Sequence, residues 1–177
     1  RRDWQFVFVD RYLWPQALYG ARRIGRSIAF SHPFYHEPTR RRLLDETREY
    51  AAETKRNGQP LTEVPWVRHL LADRYIECEV ARLMAYNVAY MQGQGLVPNK
   101  EASMSKVFGS ETLQRVTVAG LDILGMYGIL GRDEKWAPLK GRVQENWMIS
   151  FSHKIAAGTS EVQRNIIAGR GLGLPRG

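Results

Sequence analysis

The sequence contains a single cysteine, Cys78, among 177 residues. A disulfide within the chain is therefore excluded, which fits a reducing compartment, and we expect a cytoplasmic location. No apolar run approaches the roughly 20 residues that a membrane-spanning helix needs, and no signal-peptide pattern opens the chain. Because Cys78 falls in a helical pattern, we expect a buried thiol there and not a nucleophile.

Strand patterns, internal repeats and low-complexity tracts are also missing. Apolar residues instead recur at helical spacings between breaks that contain proline and glycine. The pattern predicts an all-α protein, an up-and-down four-helix-type bundle with a short extra C-terminal helix. The expected helical segments are about 3–31, 38–55, a third from a cap at Thr62 to the break at Gly93, then 99–124, 143–155 and 160–169.

Local signals place the ends and faces of these helices. His32-Pro33 should end the first segment, and Asn57-Gly58 should stop the second. Thr62 is expected to be the N-cap of the third helix, with Pro65 in its opening turn. The apolar stripe expected to face the core of that helix comprises Val67, Leu70, Leu71, Ile76, Val80, Leu83, Met84 and Val88.

The composition is that of a soluble globular protein of one domain, with 44% hydrophobic and 25% charged residues. A formal charge of +8 invites a nucleic-acid or membrane interpretation. The basic residues are scattered, however, and only Arg40-Arg41-Arg42 forms a compact run, which we expect to open a solvated helix face. Anionic ligands or simple solubility explain this charge better than nucleic acid, which stays as a minority alternative.

The C-terminal string runs Gly158-Thr159-Ser160-Glu161-Val162-Gln163-Arg164-Asn165-Ile166-Ile167-Ala168. It resembles the C-terminal signature of flavin-dependent acyl-CoA dehydrogenases. The resemblance implies that residues 1–177 correspond to the C-terminal helical bundle of that family, without its N-terminal helical domain and β-domain. Since the chain begins at Arg1 and not at methionine, we expect a fragment or a processed product.

The resemblance also implies a catalytic base immediately before the Gly-Thr pair, where well-known members carry glutamate. This chain has Ala157 at that position, and a methyl group cannot accept the α-proton of an acyl thioester. Some family members supply the base from the first helix of the domain, which makes Asp10 a weak candidate here. A partner subunit is the other expected source.

Cofactor contacts follow from the same resemblance. Thr159 and Glu161 should contact the adenosine side of FAD, for which a hydroxyl and a carboxylate are suitable hydrogen-bonding groups. The segment from Asp122 through Gly125 to Gly128 is similar to a family segment that approaches FAD from the neighbouring subunit. Here Asp122 replaces a glutamine and Met126 replaces a glycine, and a carboxylate near a pyrophosphate would be repulsive.

Three further patterns have simpler structural interpretations. Ser103-x-x-Lys106 matches a serine-hydrolase motif without its companion motifs, so we expect ordinary helix residues. His32 and His36 beside Glu37 suggest a metal, but Pro33 disfavours the helix that this spacing would need. His153 is expected to be a partly buried structural residue. The sequence therefore predicts no metal site.

Three functions remain open at this point. The first is the C-terminal domain of a FAD-dependent acyl-CoA dehydrogenase, acting on an acyl-CoA substrate with a base from another residue or chain. The second is a non-catalytic subunit that shares a FAD site or builds the oligomer, a homo- or hetero-oligomeric dimer or tetramer. The third is a basic nucleic-acid-binding relative. Ala157 favours the second over the first, and the intact Gly-Thr-Ser-Glu string favours either over the third.

Overall fold

The computed structural model describes the backbone of residues 28–175 and the side chains of residues 39–175. Its one strand pairing in this range is a two-residue antiparallel pair, β1 Lys55–Arg56 and β2 Gln59–Pro60. No helix in this part of the chain is long and apolar enough to cross a membrane. The predicted all-α fold class is confirmed, with five α-helices: α1 Ile28–Glu53, α2 Pro65–Gly93, α3 Asn99–Leu124, α4 Arg142–Ile155 and α5 Ser160–Ile166.

Contacts between side chains give the relative direction of α1 and α3. The guanidinium of Arg40 donates to the carbonyl oxygen of Gly109 at 3.2 Å. About two turns further along α1, Thr47 packs at Gly120. Both pairs advance along the two helices in the same sense, so α1 and α3 run parallel.

The contacts of α4 with α3 occur in the opposite order along the two helices. Its first turn places Val143 against Gly120, and near its end the backbone of Lys154 meets Lys106. Helix α4 therefore runs antiparallel to α3, as does α2, which reaches α3 through the short connection 94–98. The result is the up-and-down bundle that the sequence predicted, with α5 added at its end.

Helix α3 is the centre of the bundle and packs against each of the other four helices. Close packing of this kind requires small side chains at the contact surfaces, since interhelical distances of about 8–10 Å depend on the residues between the axes. The small residues buried along α3 are Ala102, Ser103, Ser105, Gly109, Ser110, Thr112, Thr117, Ala119 and Gly120.

The predicted helix boundary in the first third of the chain was wrong. Helix α1 begins at Ile28 and continues through Pro33 and Pro38. A proline inside a helix removes its own backbone donor and crowds the carbonyl four residues earlier. Here the helix is fixed further along, where Leu43 and Leu44 are buried in the core. The part of the expected first segment before residue 28, including Asp10, lies outside the described residues.

Asn57 and Gly58 do not end α1, which stops at Glu53. Both residues have positive φ, 53° and 83°, and they form the two-residue turn between β1 and β2. The Asn-Gly pair is the sequence most strongly associated with such hairpin turns because both positions need left-handed backbone. The Asn-Gly pair therefore marks a hairpin turn, and the prediction that it stops a helix was wrong.

The start of α2 differs from the prediction in its cap. Thr62 lies in a short 3₁₀ turn, Leu61–Glu63, and Val64 occupies the N-cap without a side-chain hydrogen bond. Pro65 does open the helix, as predicted. Proline suits the first position of a helix because its fixed φ matches the helix and it has no backbone N–H to leave unpaired there.

Only part of the predicted apolar stripe of α2 faces the core. Val67, Leu71 and Val88 are buried, whereas Ile76 and Leu83 are 60% and 59% exposed. At about 100° per residue, the exposed pair projects from the side of the helix opposite the buried set. The prediction merged two apolar faces into one. Cys78 lies on the buried side, which confirms the prediction of a buried thiol.

The prediction that the compact basic run opens a solvated face was wrong for Arg40, which is 1% exposed and buried against α3. It holds for Arg42, which is exposed, and Arg41 is partly exposed. Arg41 pairs with Asp45 at 3.0 Å, and Arg42 pairs with Glu46 at 2.8 Å.

Replacing Gly120 by alanine tests the close packing of α3. The added Cβ would lie 2.9 Å from Cγ1 of Val143. We expect Gly120→Ala to lower the free energy of unfolding by about 1–3 kcal/mol through overpacking. Gly93→Ala is the matched control because its Cβ would meet nothing within 4 Å. Urea denaturation should show Gly93→Ala unchanged or slightly stabilised, and equal destabilisation of both variants would contradict this packing.

Candidate functional site

Residues 156–159 form the turn between α4 and α5, and their backbone conformation is closely specified. Ala157 and Gly158 have φ values of 55° and 93°. A left-handed alanine is strained by about 1 kcal/mol or more and needs support from its surroundings. Gln163 of α5 provides it, because its Nε2 donates to the carbonyl oxygen of Ala157 at 2.9 Å. The φ of 93° favours glycine at position 158, and a Cβ there would also lie 2.8 Å from the same nitrogen.

The side chain of Ala157 is a methyl group at an exposed position of this turn. The turn is well formed, yet position 157 offers no group that can take a proton. The backbone geometry of the turn is therefore present, whereas the proton-accepting group that the family resemblance predicts at position 157 is not.

Thr159 and Glu161 lie at the start of α5 and interact with each other. The Oγ1 of Thr159 accepts a hydrogen bond from the backbone N–H of Val162 at 3.3 Å, which makes Thr159 the N-cap. Hydrogen bonds from its own backbone N–H and from the Thr159 hydroxyl lower the pKa of Glu161. An exposed carboxylate with a lowered pKa is a good hydrogen-bond acceptor at neutral pH and a poor proton acceptor.

An open polar cavity of about 320 Å³ lies beside these residues, lined by α3, α5 and the end of α4. Arg164 pairs with Glu111 at 2.6 Å across it, and the ammonium of Lys154 donates to Gln114 at 3.0 Å. The hydroxyl of Ser160 is buried and has no hydrogen-bond partner within the described part of the chain. The lining residues are Glu111, Gln114, Arg115, Lys154, Ser160, Glu161 and Arg164.

The second predicted cofactor segment lies where α3 ends. Asp122 is exposed on the last turn of the helix. Gly125 has a φ of 61° and open space around it, so its backbone is accessible to another molecule. Gly128 serves packing within this chain, because a Cβ there would lie 3.1 Å from that of Leu124. Met126 is 87% exposed, so its bulk points away from the bundle.

The structure does not bring the two predicted cofactor segments together within one chain. Arg164 of α5 meets α3 at Glu111, whereas Asp122 and Gly125 lie 11 and 14 residues further along. A helix rises about 1.5 Å per residue, so roughly 20 Å of α3 separates them. A single small ligand group cannot contact both.

Sequence reasoning missed the role of Lys106, which it treated as an ordinary helix residue. Lys106 is 3% exposed, and its Nζ donates to the backbone carbonyl oxygen of Lys154 at 3.1 Å. Burial lowers the pKa of this ammonium, and the charges of Glu111 and Glu161 partly oppose that change. The only sequence signal for its burial was a lysine within a helical stretch of small and apolar residues.

His153 is half-buried beside this lysine, in line with the structural role predicted for it. Burial, and secondarily the positive charge of Lys106, lower its pKa. No group of three metal-binding side chains occurs among residues 39–175. His32 and His36 lie outside the described side chains.

Comparison with known proteins identifies this arrangement. The family model described as acyl-CoA dehydrogenase, C-terminal domain, matches residues 39–172. The chain belongs to the acyl-CoA dehydrogenase family. Curated relatives include acyl-CoA dehydrogenase FadE26 of Mycobacterium tuberculosis, 35% identical over 138 residues, and 3-(aryl)acrylate reductase of Clostridium sporogenes, 34% identical over 125 residues. These alignments cover 75% and 71% of this chain, but it spans only 34% and 31% of those acyl-CoA dehydrogenase relatives.

Solved structures agree with the family and the fold. The ChsE4-ChsE5 complex from Mycobacterium tuberculosis matches with a TM-score of 0.72 and 35% identity, covering 76% of this chain and 35% of that chain. The Tcur3481-Tcur3483 steroid ACAD matches with a TM-score of 0.72 and 28% identity, covering 78% and 35%. Acyl-CoA dehydrogenases use FAD as a family, and residues 39–172 of this chain match the C-terminal domain of that family.

Removing the side-chain amide of Gln163 tests how the turn is held. We expect Gln163→Leu to lower the free energy of unfolding by about 1 kcal/mol, because the carbonyl of left-handed Ala157 loses its donor. Cleavage of the turn by a protease under native conditions should also become faster. Asn165→Leu, at an exposed position of the same helix, is the control. The account of the turn is wrong if both variants are cleaved at the wild-type rate.

The lowered pKa of His153 predicts a dependence of stability on pH. The unfolded state takes up a proton near pH 6.5 while the folded state resists it, so the free energy of unfolding should fall as the pH decreases below about 6.5. His153→Gln should show a smaller loss between pH 7 and pH 5.5 in urea denaturation. His69→Gln, at an exposed position, controls for the loss of one imidazole. Equal pH slopes in the wild type and His153→Gln would contradict this assignment.

Proposed function

We propose that this chain is the C-terminal part of a FAD-dependent acyl-CoA dehydrogenase in which position 157 does not supply the base. The reaction would be α,β-dehydrogenation of an acyl-CoA thioester. The observation that carries the proposal is the turn 156–159, which is fully formed by Gln163 and Gly158 around an alanine. The cytoplasmic location expected from the sequence belongs to the same proposal.

Thr159 and Glu161 are proposed to hold the adenosine side of FAD. The residues beside the cavity suit a polar ligand, because the buried Ser160 hydroxyl is unpartnered within the described region and Glu161 stays ionised. Ribose hydroxyls and the adenine edge can donate to such oxygens. When bound, FAD would accept the hydride from the substrate β-carbon.

Asp122, Gly125 and Gly128 are proposed to serve a second cofactor site on another subunit. The separation of roughly 20 Å along α3 supports this assignment, since one chain cannot place both segments on the same part of a ligand. The accessible backbone of Gly125 suits close approach, whereas the carboxylate of Asp122 does not suit a pyrophosphate. A dimer or tetramer, homo- or hetero-oligomeric, follows from this arrangement.

The base must come from elsewhere if this chain takes part in catalysis. Proton abstraction beside a thioester needs a carboxylate with a raised pKa in a water-poor site. Glu161 is exposed and its pKa is lowered, so it does not meet that need. Asp10 and a carboxylate of a partner chain remain the proposed sources.

A non-catalytic subunit is the second candidate, and Ala157 is the observation that favours it. Such a chain would complete the oligomer and share a FAD site while its partner performs the proton transfer. The similar ChsE4-ChsE5 structure is a complex of two named components, which supports a hetero-oligomeric form for this chain as well. Nucleic-acid binding is disfavoured because the one compact basic run is reduced: Arg40 is buried against Gly109, and the charges of Arg41 and Arg42 are paired with Asp45 and Glu46.

Restoring a carboxylate at position 157 tests the proposal. In the complete protein with any partner, Ala157→Glu should raise the rate at which an acyl-CoA bleaches the oxidised flavin by about 10²-fold or more, the contribution of a positioned base. Both residues are L-amino acids, so the strain at φ 55° changes little. Stopped-flow absorbance under anaerobic conditions gives the rate.

The neighbouring variant Ala156→Glu is the matched control. It adds the same carboxylate one residue earlier in the same exposed turn, where the peptide conformation differs. We expect no gain from it. A comparable gain in both variants, or none in Ala157→Glu, would show that position 157 does not face the substrate α-carbon.

A further inference from the structure

Helix α4 ends at Ile155, directly before the turn 156–159. The last carbonyl groups of a helix lack partners within it and need donors from elsewhere. The carbonyl of Lys154 receives one from the buried Nζ of Lys106, 48 residues away in sequence, at 3.1 Å. A cation at a helix C-terminus also interacts favourably with the helix dipole.

Lys154 is attached to α3 at a second point. Its own ammonium donates to Oε1 of Gln114 at 3.0 Å, eight residues along α3 from Lys106. Between these two points, Glu111 pairs with Arg164 of α5 at 2.6 Å. Three polar residues of α3 therefore hold the end of α4 and the body of α5, on either side of the turn.

The three contacts differ in whether water can take the place of the protein partner. Gln114 and Glu111 are partly exposed, so water can substitute for their partners. Lys106 is 3% exposed, and its loss would leave the carbonyl of Lys154 without its donor in a part-buried hydrogen bond. Leaving such a group unsatisfied is more costly than breaking a solvated pair.

We propose that Lys106 is a positioning residue: its buried ammonium fixes the end of α4, and thereby sets the conformation of the turn 156–159 and of Thr159 and Glu161 beyond it. The role of Thr159 and Glu161 in binding FAD rests on the proposed function. The effect on the turn rests on the contacts of Lys106 alone.

The experiment replaces Lys106 by methionine, which keeps the length of the side chain and removes its donor. Amide hydrogen exchange is measured in the complete protein, purified with any partner but without FAD, for peptides from 156–163 and from α2. We expect exchange in 156–163 to rise about tenfold or more, as loss of one charge-assisted hydrogen bond predicts, with little change in α2. Quenching of flavin fluorescence should show FAD binding weakened about tenfold.

Leu113→Ala is the matched control, a fully buried residue of the same helix that does not contact the turn through a polar group. It should raise exchange in α2 at least as much as in 156–163. The proposal is wrong if Lys106→Met raises exchange in α2 as much as in 156–163, or if it does not raise exchange in 156–163 at all. Should Lys106→Met not fold, Lys106→Gln keeps a shorter donor and must still speed exchange in 156–163 selectively.

The hydrogen-exchange result and the FAD-binding result test different claims. Absence of FAD binding in the wild type, together with selective exchange in Lys106→Met, would contradict the proposed function and support the positioning role. Unchanged FAD binding in Lys106→Met beside selective exchange would overturn the extension of that role to Thr159 and Glu161.

Discussion

The close approach of α3 to its four neighbours is the constraint on which the rest of this domain depends. Gly109 accommodates the buried Arg40, and Gly120 accommodates Val143 at a distance that leaves no space for a methyl group. With larger side chains, α1 and α4 would be displaced from α3. The end of α4 carries the turn 156–159, so its position follows from packing set more than thirty residues earlier in the chain.

The turn itself shows that a site can keep its geometry without its reactive group. Gln163 supports the left-handed backbone of Ala157, and the positive φ of position 158 favours glycine there. None of these contacts depends on the side chain at position 157. The conformation of Thr159 and Glu161 therefore does not require a carboxylate at position 157, which is the physical basis for the proposal that the base lies elsewhere.

Much of this could be predicted from the sequence where the signal is local. The cap formed by Thr159 and the opening of α2 at Pro65 depend on neighbours within a few residues, and both are present. Asn57-Gly58 was also a local signal, but the choice between a helix stop and a hairpin depends on whether strands can pair on either side.

The missed features depend on contacts between distant residues. Burial of Arg40 and Lys106 is decided by carbonyl groups 69 and 48 residues away, which no local pattern reveals. The exposed Ile76 and Leu83 show the same limit from the other side, because periodicity identifies apolar faces without saying which one has a partner. The site residues Asp122 and Gly125 stay predictions, since their use requires a second subunit.

The most direct test of the central claim is the visible spectrum of the complete native protein, purified with any partner, before and after anaerobic addition of acyl-CoA thioesters. The account predicts a bound oxidised flavin whose absorbance band bleaches with at least one thioester, by a base that is not at position 157. A protein that holds no flavin, in the presence of excess FAD and its partner, would contradict it.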